Sequence, residues 1–307
     1  MIKPMLRTKY LKSVAVVLAI ILVLFIRLII IDQAKKNDLA KTALAYETFG
    51  KEGERILLLH GILGSHRYWT IVADKLSQDH FILAPDLLGF GDSPKPYLKY
   101  TVSEHLVYLD RTVSAVFPEE KKFFIIGHSM GAILALNDTI KNPDRIQGLV
   151  LINPPILTSH NDLENDIKNN SSKMMAMMTF NKTWGGFVCR MHEVFPAFSY
   201  PFLLLLEPDL PSYVAMDATK HTYESFSGSL ENVLQNQNFF KLIDSVKSTP
   251  ILVISTKDDA YSKQSELEQL KKYDNIRVRV LDGDHNFILK TPDQALIEIK
   301  KFLKDHE

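Results

Sequence analysis

Cysteine is nearly absent: Cys189 is the one thiol in 307 residues. That excludes an intrachain disulfide framework and any zinc site built from several thiolates. Acidic side chains are missing from the first 31 residues, which hold five basic ones: Lys3, Arg7, Lys9, Lys12 and Arg27. Net charge is absent over the whole chain, with 36 basic and 36 acidic residues, so residues 32–307 carry 31 basic against 36 acidic, a net of −5. A mildly acidic body lacks the clustered Lys and Arg that phosphates demand, and nucleic acid is not an expected partner. No internal repeat or low-complexity tract is present. What the chain does have is apolar mass. Hydrophobic residues make up 46% and charged residues 23%, enough for a substantial core and incompatible with a disordered or collagen-like protein.

Part of that apolar mass is one run. Ser13 to Ile26 is uncharged and dominated by Val, Leu and Ile; Arg27 interrupts it and Leu28 to Ile31 resumes it. As a helix, Ser13 to Ile31 would extend about 28 Å, close to the hydrocarbon thickness of a bilayer. Arg27, one turn from the end, has a stem long enough to bring its guanidinium to the headgroups. The run ends Ile30-Ile31-Asp32-Gln33 without the small-residue pattern of a signal cleavage site. Its basic, acid-free start weakens a core-helix reading. Residues 1–33 are therefore expected to form an uncleaved single-pass membrane anchor. Four basic residues precede the span, while Lys35, Lys36 and Lys41 follow it. The positive-inside bias then puts the N-terminus in the cytoplasm and the body on the extracytoplasmic side.

Beyond the polar stretch Ala34 to Lys41, short apolar runs alternate with longer amphipathic ones. Candidate strands are Ala43–Thr48, Ile56–His60, Phe81–Ala84, Phe123–Ile126, Gly148–Ile152, Ile251–Ser255 and Ile276–Leu281. Most are continuously apolar, as strands buried on both faces of a parallel sheet are. Candidate helices lie near Tyr68–Ser77, Ser103–Val116, Met130–Asn142, Ser262–Lys272 and Pro292–Lys304. The alternation predicts an α/β protein with a doubly wound, mostly parallel sheet. From Pro154 to Pro250 the rhythm stops. No clear strand is visible there, and Met174, Met175, Met177 and Met178 cluster ahead of the apolar run Phe202 to Leu206. A structureless loop of that length is improbable. The expected organisation is a core of residues 34–153 and 250–307 with an inserted helical cap at 154–249.

One pentapeptide carries the chemistry. Phe123–Ile126 runs into Gly127-His128-Ser129-Met130-Gly131 and then into a helical segment. This is G-x-S-x-G at a strand-to-helix turn, a nucleophile elbow that holds a serine in a strained conformation above the sheet edge. A serine nucleophile needs a base. His285 directly follows the strand Ile276–Leu281, at the edge where open α/β sheets bind ligands; the penultimate His306 is expected to fray. An acid is expected after the preceding strand, where Asp258 and Asp259 are adjacent and placement alone does not choose between them. The loop His60-Gly61-Ile62-Leu63-Gly64-Ser65 follows an earlier strand. The N–H groups of Ile62 and Met130 are the candidate oxyanion donors.

Together these motifs resemble the α/β-hydrolase fold superfamily, in its capped, lipase- and esterase-like branch. The resemblance rests on His60-Gly61, Asp86-Leu87-Leu88-Gly89-Phe90-Gly91-Asp92-Ser93, Gly127 to Gly131, Pro143-Asp144-Arg145-Ile146, Asp259 and His285, and covers about residues 43 to 304. In that family the late acid usually stands three residues after a glycine. Thr256 replaces the glycine here, and the spacing points to Asp259. The family often opens with two antiparallel strands, of which Ala43–Thr48 is the one visible, and its cap sets substrate choice. The Asp86 loop is expected to be structural and His128 to pack. Tyr68 and Trp69 are candidates for a pocket wall, His192 and His221 for substrate contact from the cap, and the methionines for an acyl groove.

The resemblance implies a serine hydrolase of carboxylic esters, acyl lipids among them, using Ser129, His285 and Asp259 through an acyl-enzyme. It implies no metal or organic cofactor. Carbon–carbon bond hydrolases, acyltransferases and perhydrolases share the scaffold and remain alternatives. Epoxide hydrolases and haloalkane dehalogenases carry an aspartate at the elbow, against Ser129. A non-catalytic ligand-binding protein of this fold would typically lack one of the three residues.

Overall fold

A computed structural model describes residues 4–41, 43–117, 121–158, 162, 165, 167, 168, 179, 181–195, 200, 201, 204 and 210–307. Its seven strands are β1 (Tyr46–Phe49), β2 (Glu54–Leu59), β3 (His80–Pro85), β4 (Phe123–His128), β5 (Ile146–Ile152), β6 (Ile251–Asp258) and β7 (Ile276–Asp284). They form one sheet in the order β1-β3-β2-β4-β5-β6-β7. β1 pairs antiparallel with β3, and every other pairing is parallel. The expected doubly wound sheet is present, with one antiparallel edge strand.

Burial explains the continuous apolar runs. Leu57 and Leu59 of β2 face one core with Ile125 of β4, while Ile56 and Leu58 face the other with Phe124 and Ile126. Helices α3 (Val102–Val116) and α4 (Met130–Lys141) cover the first face; α2 (Thr70–Leu76) and the C-terminal helix, Asp293–His306, cover the second. Each fully buried Leu or Ile contributes about 2 kcal/mol, so a polar substitution on either parity would be costly. Helix α3 starts where Thr101 accepts from the Glu104 N–H and Glu104 caps back onto the Thr101 N–H, a capping box written as T-x-x-E.

The first helix is longer than the apolar run predicts. Helix α1 spans Pro4–Asp38, about 52 Å, because the polar stretch after Ile31 continues it rather than ending it. Val14 to Ile30 is exposed apart from a half-buried Leu24, whereas the last turns lie against the body. Lys35 is buried between Glu193 (3.0 Å) and Glu224 (3.1 Å), and Asp38 accepts from the Lys95 N–H. The Arg27 guanidinium donates to the Val194 carbonyl at 2.6 Å. Val194 ends a helix, so the carbonyl carries the partial negative charge of a C-terminus.

Between β5 and β6 the described residues hold no strand. They include α5 (Lys182–Val194), α6 (Ser212–Ala218), α7 (Tyr223–Ser229, continued by a π-turn over Leu230–Gln235) and α8 (Phe239–Ser245). Met174, Met175, Met177 and Met178 lie outside the described residues. Helices α9 (Gln264–Leu270) and α10 (Asp293–His306) complete the chain.

Candidate active site

The strand order locates the site. β3 lies on one side of β2 and β4 on the other, so the connections leaving β2 and β4 diverge and open a crevice at their C-terminal ends. The loop after β2 and the turn after β4 meet there. Ser129 occupies that turn with φ +52° and ψ −117°, a left-handed conformation that a non-glycine residue holds only when its surroundings enforce it. Its N–H donates to the Ile152 carbonyl of the neighbouring strand. The flanking glycines allow the approach. A Cβ on Gly131 would stand 2.1 Å from the Leu59 carbonyl oxygen, and one on Gly127 would stand 2.5 Å from the Gly131 oxygen.

Ser129 Oγ lies 3.1 Å from His285 Nε2. His285 Nδ1 lies 2.8 Å from Asp259 Oδ1. A carboxylate only accepts, so Nδ1–H donates to Asp259 and leaves the Nε2 lone pair facing the serine hydroxyl. The Asp259 side chain is fully buried and its Oδ1 also accepts from the Tyr261 N–H, while Asp258 is exposed. Three residues separated by 130 and 26 positions in sequence thus form one hydrogen-bonded chain.

A second set of bonds holds the His285 backbone. The Tyr68 hydroxyl donates to His128 Nδ1 (3.0 Å), and His128 Nε2–H donates to the His285 carbonyl (2.9 Å). Burial, then the neighbouring His285, holds the His128 imidazole well below its usual range, so it stays neutral and can accept from Tyr68. Asn153, at φ +42° just past β5, donates to the same His285 carbonyl and to that of Asp284; Thr256 Oγ–H also donates to Asp284. Asn153 carries no motif in the sequence, and His128 is expected there only to pack. A polar residue ending a parallel strand was the available signal for Asn153; nothing local marks Tyr68 as its counterpart.

The loop after β2 closes the other side. A Cβ on Gly61 would lie 3.2 Å from Ser129 Cβ, so this loop packs against the Ser129 turn. Met130 opens α4, so its N–H has no partner within the helix. The loop is braced from below. His60, kept neutral by burial, donates from Nδ1 to the Gly61 carbonyl and accepts the Leu87 N–H at Nε2. Asp86 accepts from the backbone and ring of His66 and from the Asp92 N–H. Burial pushes its carboxyl up, but the hydrogen bonds from the His66 ring, the Asp92 N–H and the His66 N–H prevail and hold it at about 2. Asp86 and Ser93 are thus structural, as the sequence suggests. Asp217 of α6 was not foreseen. It is buried and accepts from Ser65, Arg67 and Lys220, clasping α6 to this loop.

The other sequence candidates are placed differently. Trp69 is fully buried in the core beneath α2. His192 and His221 are buried beside Cys189, and their hydrogen bonds go to the His221 and Ala218 carbonyls and that thiol rather than to Ser129 or His285. A cleft of about 260 Å³ near Asp110, Phe123 and Arg145 lies at the N-terminal edge of the sheet, away from the serine.

Sequence comparison meets this geometry. A family model described as the alpha/beta hydrolase fold matches residues 54–292. The chain belongs to the α/β-hydrolase family. A segment of 114 residues is 40% identical to a protein of Arabidopsis thaliana named Probable lysophospholipase BODYGUARD 1, covering 35% of this chain and 24% of that one. Over 197 residues the identity to Probable lysophospholipase BODYGUARD 4 of the same plant is 27%, covering 59% and 46%. The hydrolase chain thus matches less than half the length of either relative. Among solved structures it is similar to a thermophilic esterase from Thermogutta terrifontis (TM-score 0.65, 20% identity, 86% of this chain and 94% of that one). It is also similar to an enol-lactonase from Burkholderia xenovorans (TM-score 0.62, 18% identity, 85% and 96%). At those identities the likeness shows the fold.

Proposed function

We propose that this α/β-hydrolase is a membrane-anchored serine esterase whose substrates are acyl lipids. The observation that carries the reading is the bonded series Ser129 Oγ, His285 Nε2, His285 Nδ1, Asp259 Oδ1. His285 takes the serine proton as Oγ attacks the ester carbonyl, and Asp259 orients the ring and stabilises the imidazolium. The Ile62 and Met130 N–H groups receive the oxyanion, about 3 kcal/mol per donor at the transition state. The protonated His285 then donates to the departing alcohol, and a water deprotonated by the same ring releases the acid from Ser129. The positive φ of Ser129 serves this chemistry by presenting Oγ clear of the helix behind it.

Residues 154–249 act in this reading as the cap over the site. Lipid substrates are favoured by three features: an exposed apolar helix long enough to span a bilayer, relatives named as lysophospholipases, and an apolar stripe on α5. Trp184, Phe187 and Met191 are exposed on α5 at helical spacing, and the C-terminus of α5 is bonded to α1.

Ser129→Ala in the full-length protein is expected to lower ester turnover by at least about 10⁴-fold and to abolish labelling by a fluorophosphonate. Persisting turnover would remove the nucleophile assignment. A panel of esters of rising chain length, with this variant as control, reads the substrate class. Preference for long acyl chains supports lipids. Intact labelling with no turnover of any ester would transfer the chemistry to acyl transfer or carbon–carbon cleavage.

A further inference from the structure

Cys189, His192 and His221 stand together inside the helices that follow β5, away from the serine. All three are buried, at 0%, 5% and 6% exposure. One ligand atom from each lies within 4.8 Å of the other two. Cys189 and His192 are three apart on α5 and so share one face; His221 arrives from the turn between α6 and α7.

The tautomers follow from the backbone. His221 Nδ1 lies 2.8 Å from the Ala218 carbonyl and His192 Nε2 lies 3.2 Å from the His221 carbonyl. A carbonyl only accepts, so each of these nitrogens carries the proton and each ring keeps one basic nitrogen. Metal-binding histidines are oriented by such outward N–H bonds. The basic Nε2 of His221 stands 3.5 Å from Cys189 Sγ. A tetrahedral ion with Zn–S of about 2.3 Å and Zn–N of about 2.05 Å has an S–N edge of about 3.5 Å. One thiol proton can serve only one of the two basic nitrogens, whereas a cation takes lone pairs from both rings and from the thiolate.

We propose that Cys189, His192 and His221 form a binding site for a borderline-soft transition cation of the Zn²⁺ type, with a fourth position for a water. Binding forms three metal–ligand bonds, breaks the Cys189 S–H bond and releases that proton to solvent. The site ties α5 to the α6–α7 turn. α5 is the helix that receives Arg27 and Lys35 of α1, and beside the turn Asp217 and Lys220 hold Ser65, Arg67 and Asp92. The cation would therefore join the docked N-terminal helix to the loop beside Ser129.

The test uses full-length protein in detergent, stripped with a chelator and titrated with Co²⁺ as the optical probe. One equivalent is expected to produce a thiolate-to-cobalt charge-transfer band, and one equivalent of Zn²⁺ should remove it. Binding should release the Cys189 proton to the buffer. Zn²⁺ should raise the Tm of the native chain and not that of Cys189→Ser. Cys189→Ser should lose the band, and His221→Gln should weaken binding more than about tenfold. A folded native chain that takes up no Co²⁺, or takes it up without the thiolate band, overturns the site. So does a Cys189→Ser variant of unchanged Zn²⁺ affinity and matching near-UV circular dichroism.

Discussion

Asp258 and Asp259 are neighbours with the same side chain and different surroundings. The β6 backbone turns one carboxylate to solvent and buries the other against His285. An acid that fixes the tautomer of a base matters through that single bond, so the two substitutions should separate sharply. Asp259→Asn is expected to reduce ester turnover about 10³- to 10⁴-fold by favouring the wrong tautomer, and Asp258→Asn by less than about threefold. Steady-state kinetics on one short-chain ester would measure both, and the reverse order would move the acid to Asp258. The same scale shows what a single sequence hides. Asn153 carries no charge and His128 flanks the nucleophile, yet both donate to the His285 carbonyl. Their contribution is positional and leaves no motif.

At the scale of elements, α5 faces three ways. One face carries Cys189 and His192 inward, its C-terminus accepts from Arg27 of α1, and its outer side shows Trp184, Phe187 and Met191 to solvent. An apolar stripe next to the apolar helix α1 gains about 25 cal/mol per Å² by entering an acyl layer. The double variant Trp184→Ser, Phe187→Ser is therefore expected to slow turnover of long-chain esters in lipid vesicles about tenfold while leaving a water-soluble short-chain ester unaffected. Equal losses on both substrates would show that the stripe supports folding and not the interface. Element boundaries followed local chemistry where caps are written in the chain, as with Thr101 and Glu104 of α3. They departed from it where tertiary contacts extend a helix. Helix α1 runs on to Asp38 because Lys35 finds Glu193 and Glu224, partners 158 and 189 positions away.

At the scale of the molecule, the apolar helix is held to α5 and α7 through buried charge, Lys35 pairing with Glu193 and Glu224. Retention of the helix in the mature chain is the reading of residues 1–33 as an anchor. Alkaline carbonate extraction of membranes should then leave the protein in the pellet, and mass spectrometry of that protein should recover peptides from residues 12–31. A soluble chain beginning after Ile31 would convert the segment into a cleaved signal. Loss of the helix would also remove Arg27 from Val194, so anchoring and the seating of α5 are expected to change together.

The alternation of apolar runs and the elbow pentapeptide determined the fold class, because strands buried on both faces must be apolar throughout and a strand-to-helix turn that tight demands glycine on both sides. They also nominated Ser129 and His285, since the chemistry of a serine nucleophile leaves few bases in the right order. The family spacing already pointed to Asp259 over Asp258; tertiary structure alone decided how that carboxylate is buried against the ring, that Trp69 is core, and that His192 and His221 gather with Cys189. Each of those outcomes depends on side-chain direction at the end of an element, and direction is set by neighbours that the linear order does not place together.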